Sequence, residues 1–180
     1  AIKILEISKS LNNKNPRIYF LIAESFSNLN CYVNAIEFYN LGLALDKHND
    51  KEHHNLAKIL LKNGVLKKSI YHIKRAMELN KKNDQYPLTL GKVLIKNRQI
   101  KQAILCLQES IKLNPQNEIA EVCLGNAFLL INRFEDAKHH FQNAIDLNIN
   151  NTDGLLGLVD LNEHFSDLEL AIKHCKLIFD

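Results

Sequence analysis

A chain of 180 residues with 46% hydrophobic and 24% charged composition is globular in character, and three prolines and six glycines are too few for a loop-rich all-β fold. Its formal charge of +3 demands no nucleic-acid partner. Four cysteines (Cys31, Cys106, Cys123 and Cys175) without CxxC spacing argue against a disulfide framework or zinc ribbon and for reduced thiols.

Residues 1–15 place Ala1, Leu5, Ser8 and Leu11 at spacings of three and four, which marks one face of a helix. Over 16–49 the apolar positions describe two helices, the first with Ile22, Ala23 and Phe26, the second with Tyr32, Ala35, Tyr39 and Gly42. The same places in 50–83 hold Leu56, Ala57 and Leu60, then Leu66, Ser69, Ile73 and Ala76. In 84–117 they hold Leu90, Gly91 and Leu94, then Ile100, Ala103, Leu107 and Ser110. In 118–151 they hold Leu124, Gly125 and Phe128, then Phe134, Ala137, Phe141 and Ala144. A last unit, 152–180, keeps Leu158 but sets Val159, Asn162 and Ile178 where small, large and small residues belong, so it is expected to end the array or dock on something further along.

This is self-similarity at a fixed period of 34 residues, without insertion or deletion. Small residues facing large ones let antiparallel helices interdigitate at native density. The expected organisation is a single array over 1–180: the second helix of a truncated unit (1–15), four full units, and a divergent terminal one. Local chemistry sets the helix limits. Asn49-Asp50, Asn83-Asp84 and Asn117-Glu118 offer caps or negative charge at the start of the first helices. Gly64 marks the turn between the helices of its unit, with Asn30, Asn97 and Asn132 near the same place elsewhere. Pro115 follows the end of a second helix. Pro87 lies within a first turn, so that helix should start late or irregularly.

With period, helix pair and small residues in place, the chain resembles the tetratricopeptide repeat family. Leu124-Gly125, Phe128, Ala137, Phe141 and Ala144 match that family's pattern, as do Leu90-Gly91, Leu94, Ala103, Leu107, Ser110 and Pro115. The usual Trp-like residue at the fourth place is replaced by Tyr19, His53, Pro87, Glu121 and Leu155. The resemblance implies an all-α fold, a right-handed superhelical array of antiparallel helix pairs whose first helices line a concave groove. It also implies a protein-protein interaction scaffold with no catalysis, cofactor or metal. A second implied reading is a substrate-recruiting arm of a larger multidomain enzyme such as a glycosyltransferase.

The groove-facing residues expected to carry binding are Lys51, His54, Asn55, Lys58 and Lys62, then Lys92 and Lys96, then Val122, Asn126 and Leu130. Phe20, Ile119, Cys123, Asp153, Leu156 and Asp160 are expected on the same faces. Charge is uneven: 50–83 has nine Lys and Arg against three Asp and Glu, whereas 118–180 has four against eleven. A basic middle beside apolar residues suits a peptide or protein with acidic and apolar residues. The family's chaperone clamp is absent, since Phe20 and Glu24 stand where Lys and Asn are needed. Its asparagine ladder is absent too, since Leu21, Asn55, Thr89, Cys123 and Gly157 occupy those places.

No two of the eight histidines stand three or four apart, and the pairs Glu135/His139 and Asp136/His140 supply two ligands each, so solvated side chains are expected rather than a metal site. No nucleophile elbow or phosphate-cradling glycine loop appears. Nucleic-acid binding is not expected, because the basic middle lacks interleaved aromatic residues. No apolar run suits a membrane span. The chain starts without Met, halfway through a repeat, as an excised piece would, so the expectation of a cytoplasmic setting rests on the reduced thiols and not on the missing signal peptide. Self-association through exposed array ends is the further expectation.

Overall fold

The computed structural model describes residues 14–164. Among them stand helices and no strand: α1 (Pro16–Asn28), α2 (Tyr32–Leu45), α3 (Asp50–Lys62), α4 (Leu66–Leu79), α5 (Gln85–Lys96), α6 (Ile100–Leu113), α7 (Glu118–Leu129), α8 (Phe134–Leu147) and α9 (Thr152–His164). The all-α array of paired helices is therefore as expected. The helix expected within 1–15, its role in self-association, and the second helix expected within 152–180 lie outside the described residues. None of the described helices is long and apolar enough to cross a membrane. The chain divides into two compact units at Tyr86/Pro87.

In the first unit α1 packs on α2, α2 on α3, and α3 on α4. Asn15 and Asn49 cap α1 and α3, their side-chain oxygens accepting from Arg17 N at 3.0 Å and Glu52 N at 3.2 Å. The first helices then stop by a repeated device. Asn30 and Gly64 take φ of 57° and 76°, and the next N–H reaches back five residues, Cys31 to Phe26 O at 2.9 Å and Val65 to Leu60 O at 2.8 Å. The core gathers Phe20, Phe26, Phe38, Tyr39, Leu56 and Leu60. Each such side chain contributes about 1.5–3 kcal/mol on leaving water. Phe20, expected on the groove face, lines a cavity there with Arg17, Leu21 and Glu24, yet is only 8% exposed because its ring lies against Gly42, where a Cβ would meet it at 2.3 Å. A glycine there opens a hole that the nearest aromatic side chain fills.

In the second unit α6 packs on α7, α7 on α8, and α9 on both α7 and α8. Contact between α7 and α9 makes first helices neighbours, which is what aligns their outward faces. Asn117 and Asn151 cap α7 and α9, accepting from Ala120 N at 3.1 Å and Gly154 N at 2.8 Å. Arg98 and Asn132 take the left-handed turn position, with φ of 61° and 59°. Asn97, expected near this turn, immediately precedes it. The core centres on Leu107, Leu124, Phe128, Phe141 and Leu155. Added Cβ atoms at Gly91 and Gly125 would meet Leu107 at 2.6 Å and Phe141 at 2.6 Å, so small faces large as the sequence required. Pro87 has the effect expected of it: α5 begins at Gln85, one residue after the equivalent of Asp50.

Candidate peptide-binding faces

The first helix of a pair has two outward options once its Leu-small-large face is committed to its partner. In the second unit that leftover face builds a cavity of about 370 Å³ between α5, α7 and α9. Lys92, Val122 and Asn126 all line it, joined by Ile119, Leu156 and Asp160. Ile119 and Leu156 are 48% and 49% exposed, an apolar rim set in a polar wall. The Cys123 thiol lies between opposing charges: burial raises it above the usual thiol range, Lys92 lowers it, and Asp153 raises it. Lys92 thus shares this cavity with the carboxylates of Asp153 and Asp160.

Val122 is a correction. It was expected as an exposed apolar anchor, yet it is 6% exposed and belongs to the core of its unit. It shapes the floor of the cavity and leaves the rim to Ile119 and Leu156. Leu130 stands apart as the C-terminal cap of α7, 51% exposed. Lys96 is exposed in the last turn of α5.

In the first unit, Lys51 and Asn55 line a cavity of about 430 Å³ together with Arg17, Glu24 and Glu52. Asn55 donates to Glu52 at 3.0 Å, which holds its amide across the helix face. Burial raises the Tyr39 hydroxyl at the base of this cavity above its ordinary range, as do Glu52 and Glu24. Lys58 is exposed, while Lys62 places its ammonium 6.0 Å from the Tyr32 ring centre. His54 is half-buried, its ring 4.9 Å from that of Tyr86. Burial, reinforced by Lys58, pushes it down to about 4, so this imidazole is neutral at neutral pH.

The histidines depart most from expectation. His53 is 6% exposed rather than solvated, and its Nδ1 lies 2.9 Å from His72 Nδ1, with the rings stacked 5.2 Å apart. Only one proton can occupy that contact, so at least one ring nitrogen there is an acceptor. Burial holds both rings below the usual imidazole value, His72 at about 4. His140 does not join Asp136. Its Nδ1 lies 2.6 Å from the Glu121 carboxylate, which is itself 6% exposed. Both pairs span 19 residues, from the fourth residue of a first helix to the facing turn of a second. Spacing along one helix cannot reveal such a contact; the available signal was that His53 and Glu121 stand where the Trp-like residue is usual. No cluster of three metal-ligating side chains occurs among the described residues.

A family model described as anaphase-promoting complex, cyclosome, subunit 3 matches residues 28–110, a stretch short of half the chain. No curated protein matches the sequence. Among solved structures, MamA from Desulfovibrio magneticus RS-1 is similar with a TM-score of 0.82 at 18% identity, over 94% of this chain and 95% of that one. Pseudomonas aeruginosa pilF follows with 0.80 at 19%, over 91% and 74%. YrrB, described as a TPR protein with an unusual peptide-binding site, gives 0.71 at 19%, over 98% and 91%. At these identities the likeness is one of fold.

Proposed function

We propose that this chain, a tetratricopeptide-repeat array by fold and by the register of its repeats, is a non-catalytic scaffold that binds a peptide or extended protein segment along its first helices. The observation that carries the reading is the second-unit cavity, where Lys92, Val122 and Asn126 meet beside an apolar rim. The peptide binding described for YrrB, a protein of like fold, supports it. An apolar ligand side chain seats between Ile119 and Leu156, and an acidic one pairs with Lys92. Asp153 and Asp160 repel the reverse arrangement. In the first unit Lys51 and Asn55 offer further polar contacts, in a cavity where Arg17 and Lys51 face Glu24, Asp46 and Glu52.

Selection from a randomised peptide library tests this, followed by binding kinetics. Selected peptides should pair acidic with apolar residues. Lys92→Glu should slow association and flatten its salt dependence, because charges at a rim steer encounter. Leu156→Asp should speed dissociation, because apolar anchors set residence time. If both variants bind the selected peptides as the parent does, the reading is wrong.

A further inference from the structure

The first unit holds another cavity, of about 420 Å³, on the side of α4 and away from the residues assigned above to peptide binding. Lys47, His53, Tyr71, Lys74, Arg75 and Glu78 line it. Four of these recur on α4 at spacings of three and four, so they share one helix face. Lys47 reaches it from the turn before α3, and His53 forms part of its wall with His72 bound behind. Three cations meet a single carboxylate, and Glu78 already accepts from Arg75 at 2.8 Å. A surplus of two positive charges remains.

The repeat does not dictate these charges. The place of Lys74 holds Asn40, Gln108 and Gln142 in the other units, and that of Arg75 holds Leu41, Glu109 and Asn143. Positions that the fold requires recur every 34 residues; these do not. The positive field also reaches the cavity wall, since burial, and after it Arg75, hold the His53 ring below the usual imidazole range.

We propose that this cavity is a second binding site, taking a phosphate-class dianion between Lys47, Lys74 and Arg75. A phosphoryl group carries nearly two negative charges, which matches the surplus; one carboxylate would leave it half answered. The Arg75 guanidinium, with Nη1 bonded to Glu78, offers its remaining N–H donors to a phosphoryl oxygen, while the two ammonium groups act as point charges. Tyr71, 65% exposed at the mouth, can pack against whatever carries the phosphoryl group. Binding would relieve the repulsion that Arg75 exerts on His53. The other groups acting on that ring are Asp46, His48 and the Lys47 carbonyl from the preceding turn, and His72 from α4, itself influenced by Lys68.

Nuclear magnetic resonance of the full chain, titrated separately with inorganic phosphate and with a phosphoserine peptide, tests the proposal. We expect saturable shifts at the Arg75 side-chain N–H and the His53 ring, and a rise in the His53 pKa when the ligand is bound. Arg75→Gln should weaken binding roughly tenfold or more, the scale of one charge-assisted hydrogen bond, and should leave helicity and melting unchanged. Tighter binding of the phosphopeptide assigns a protein-borne group, and equal binding assigns free phosphate; either supports the site. Shifts reproduced by chloride at matched ionic strength, or undiminished in Arg75→Gln and Lys74→Gln, would overturn it. Peptide selection on the second unit is unaffected by that outcome.

Discussion

Compare the His53–His72 contact of the first unit with the Glu121–His140 contact of the second. Both join the fourth residue of a first helix to a residue 19 positions on, at 2.9 Å and 2.6 Å, and both first partners are 6% exposed. The helix hairpin fixes where these two side chains meet. The residues that occupy the place decide the chemistry there. In the first unit two imidazoles meet, and burial holds both below their usual value. In the second unit an imidazole meets a buried carboxylate instead.

Breaking each contact should separate the two most. His140→Leu leaves the Glu121 carboxylate buried without its imidazole, with only Asn143 at 3.5 Å, and should cost about 3 kcal/mol. His72→Leu leaves a neutral ring that keeps its contact with the Lys47 carbonyl at 3.3 Å, and should cost less, about 1–2 kcal/mol. Hydrogen exchange within α7–α8 and α3–α4 would read the two losses separately. Equal losses would remove the electrostatic distinction.

Acid should act next. The unfolded chain's imidazoles take up protons near pH 6.5, whereas folded His72 resists until about 4. The folded values are depressed, so stability in the first unit is full above the unfolded value and declines as pH falls towards the folded one. His72→Glu, which installs the second unit's chemistry in the first, should shrink that decline. Melting temperatures of parent and variant between neutral pH and about pH 4 check this. Parallel curves would contradict it.

The turns offer the smallest effect. Gly64 occupies the left-handed position without penalty, whereas Arg98 holds φ of 61° at the same place in the next repeat. Arg98→Gly should stabilise by up to about 1 kcal/mol, and Gly64→Arg should destabilise by a similar amount. Denaturant midpoints would show the opposite signs.

The sequence revealed what recurs and missed what does not. Helix pairs and their close contacts were legible because one small residue against one large one repeats at fixed spacing, as Gly125 against Phe141 and Gly91 against Leu107 do. Cap asparagines were legible for the same reason. Phe20 and Val122 were assigned to outward faces because helix phase alone places them there. Both line cavities on those faces but are nearly covered, Phe20 because Gly42 leaves room for its ring and Val122 because it packs in its unit's core. The His53–His72 and Glu121–His140 contacts needed the hairpin's register as well as its existence. Lys92, Asn126 and Asp160, which line one cavity, were legible as a set because they are equivalent residues 34 apart on successive first helices.

The most direct test of the scaffold reading is amide shift mapping of the full chain with a library-selected peptide bound. The account predicts the largest shifts at Ile119, Cys123 and Asn126 on α7 and at Asp153, Leu156 and Asp160 on α9. Shifts confined to α6 and α8, with those residues unmoved, would contradict it.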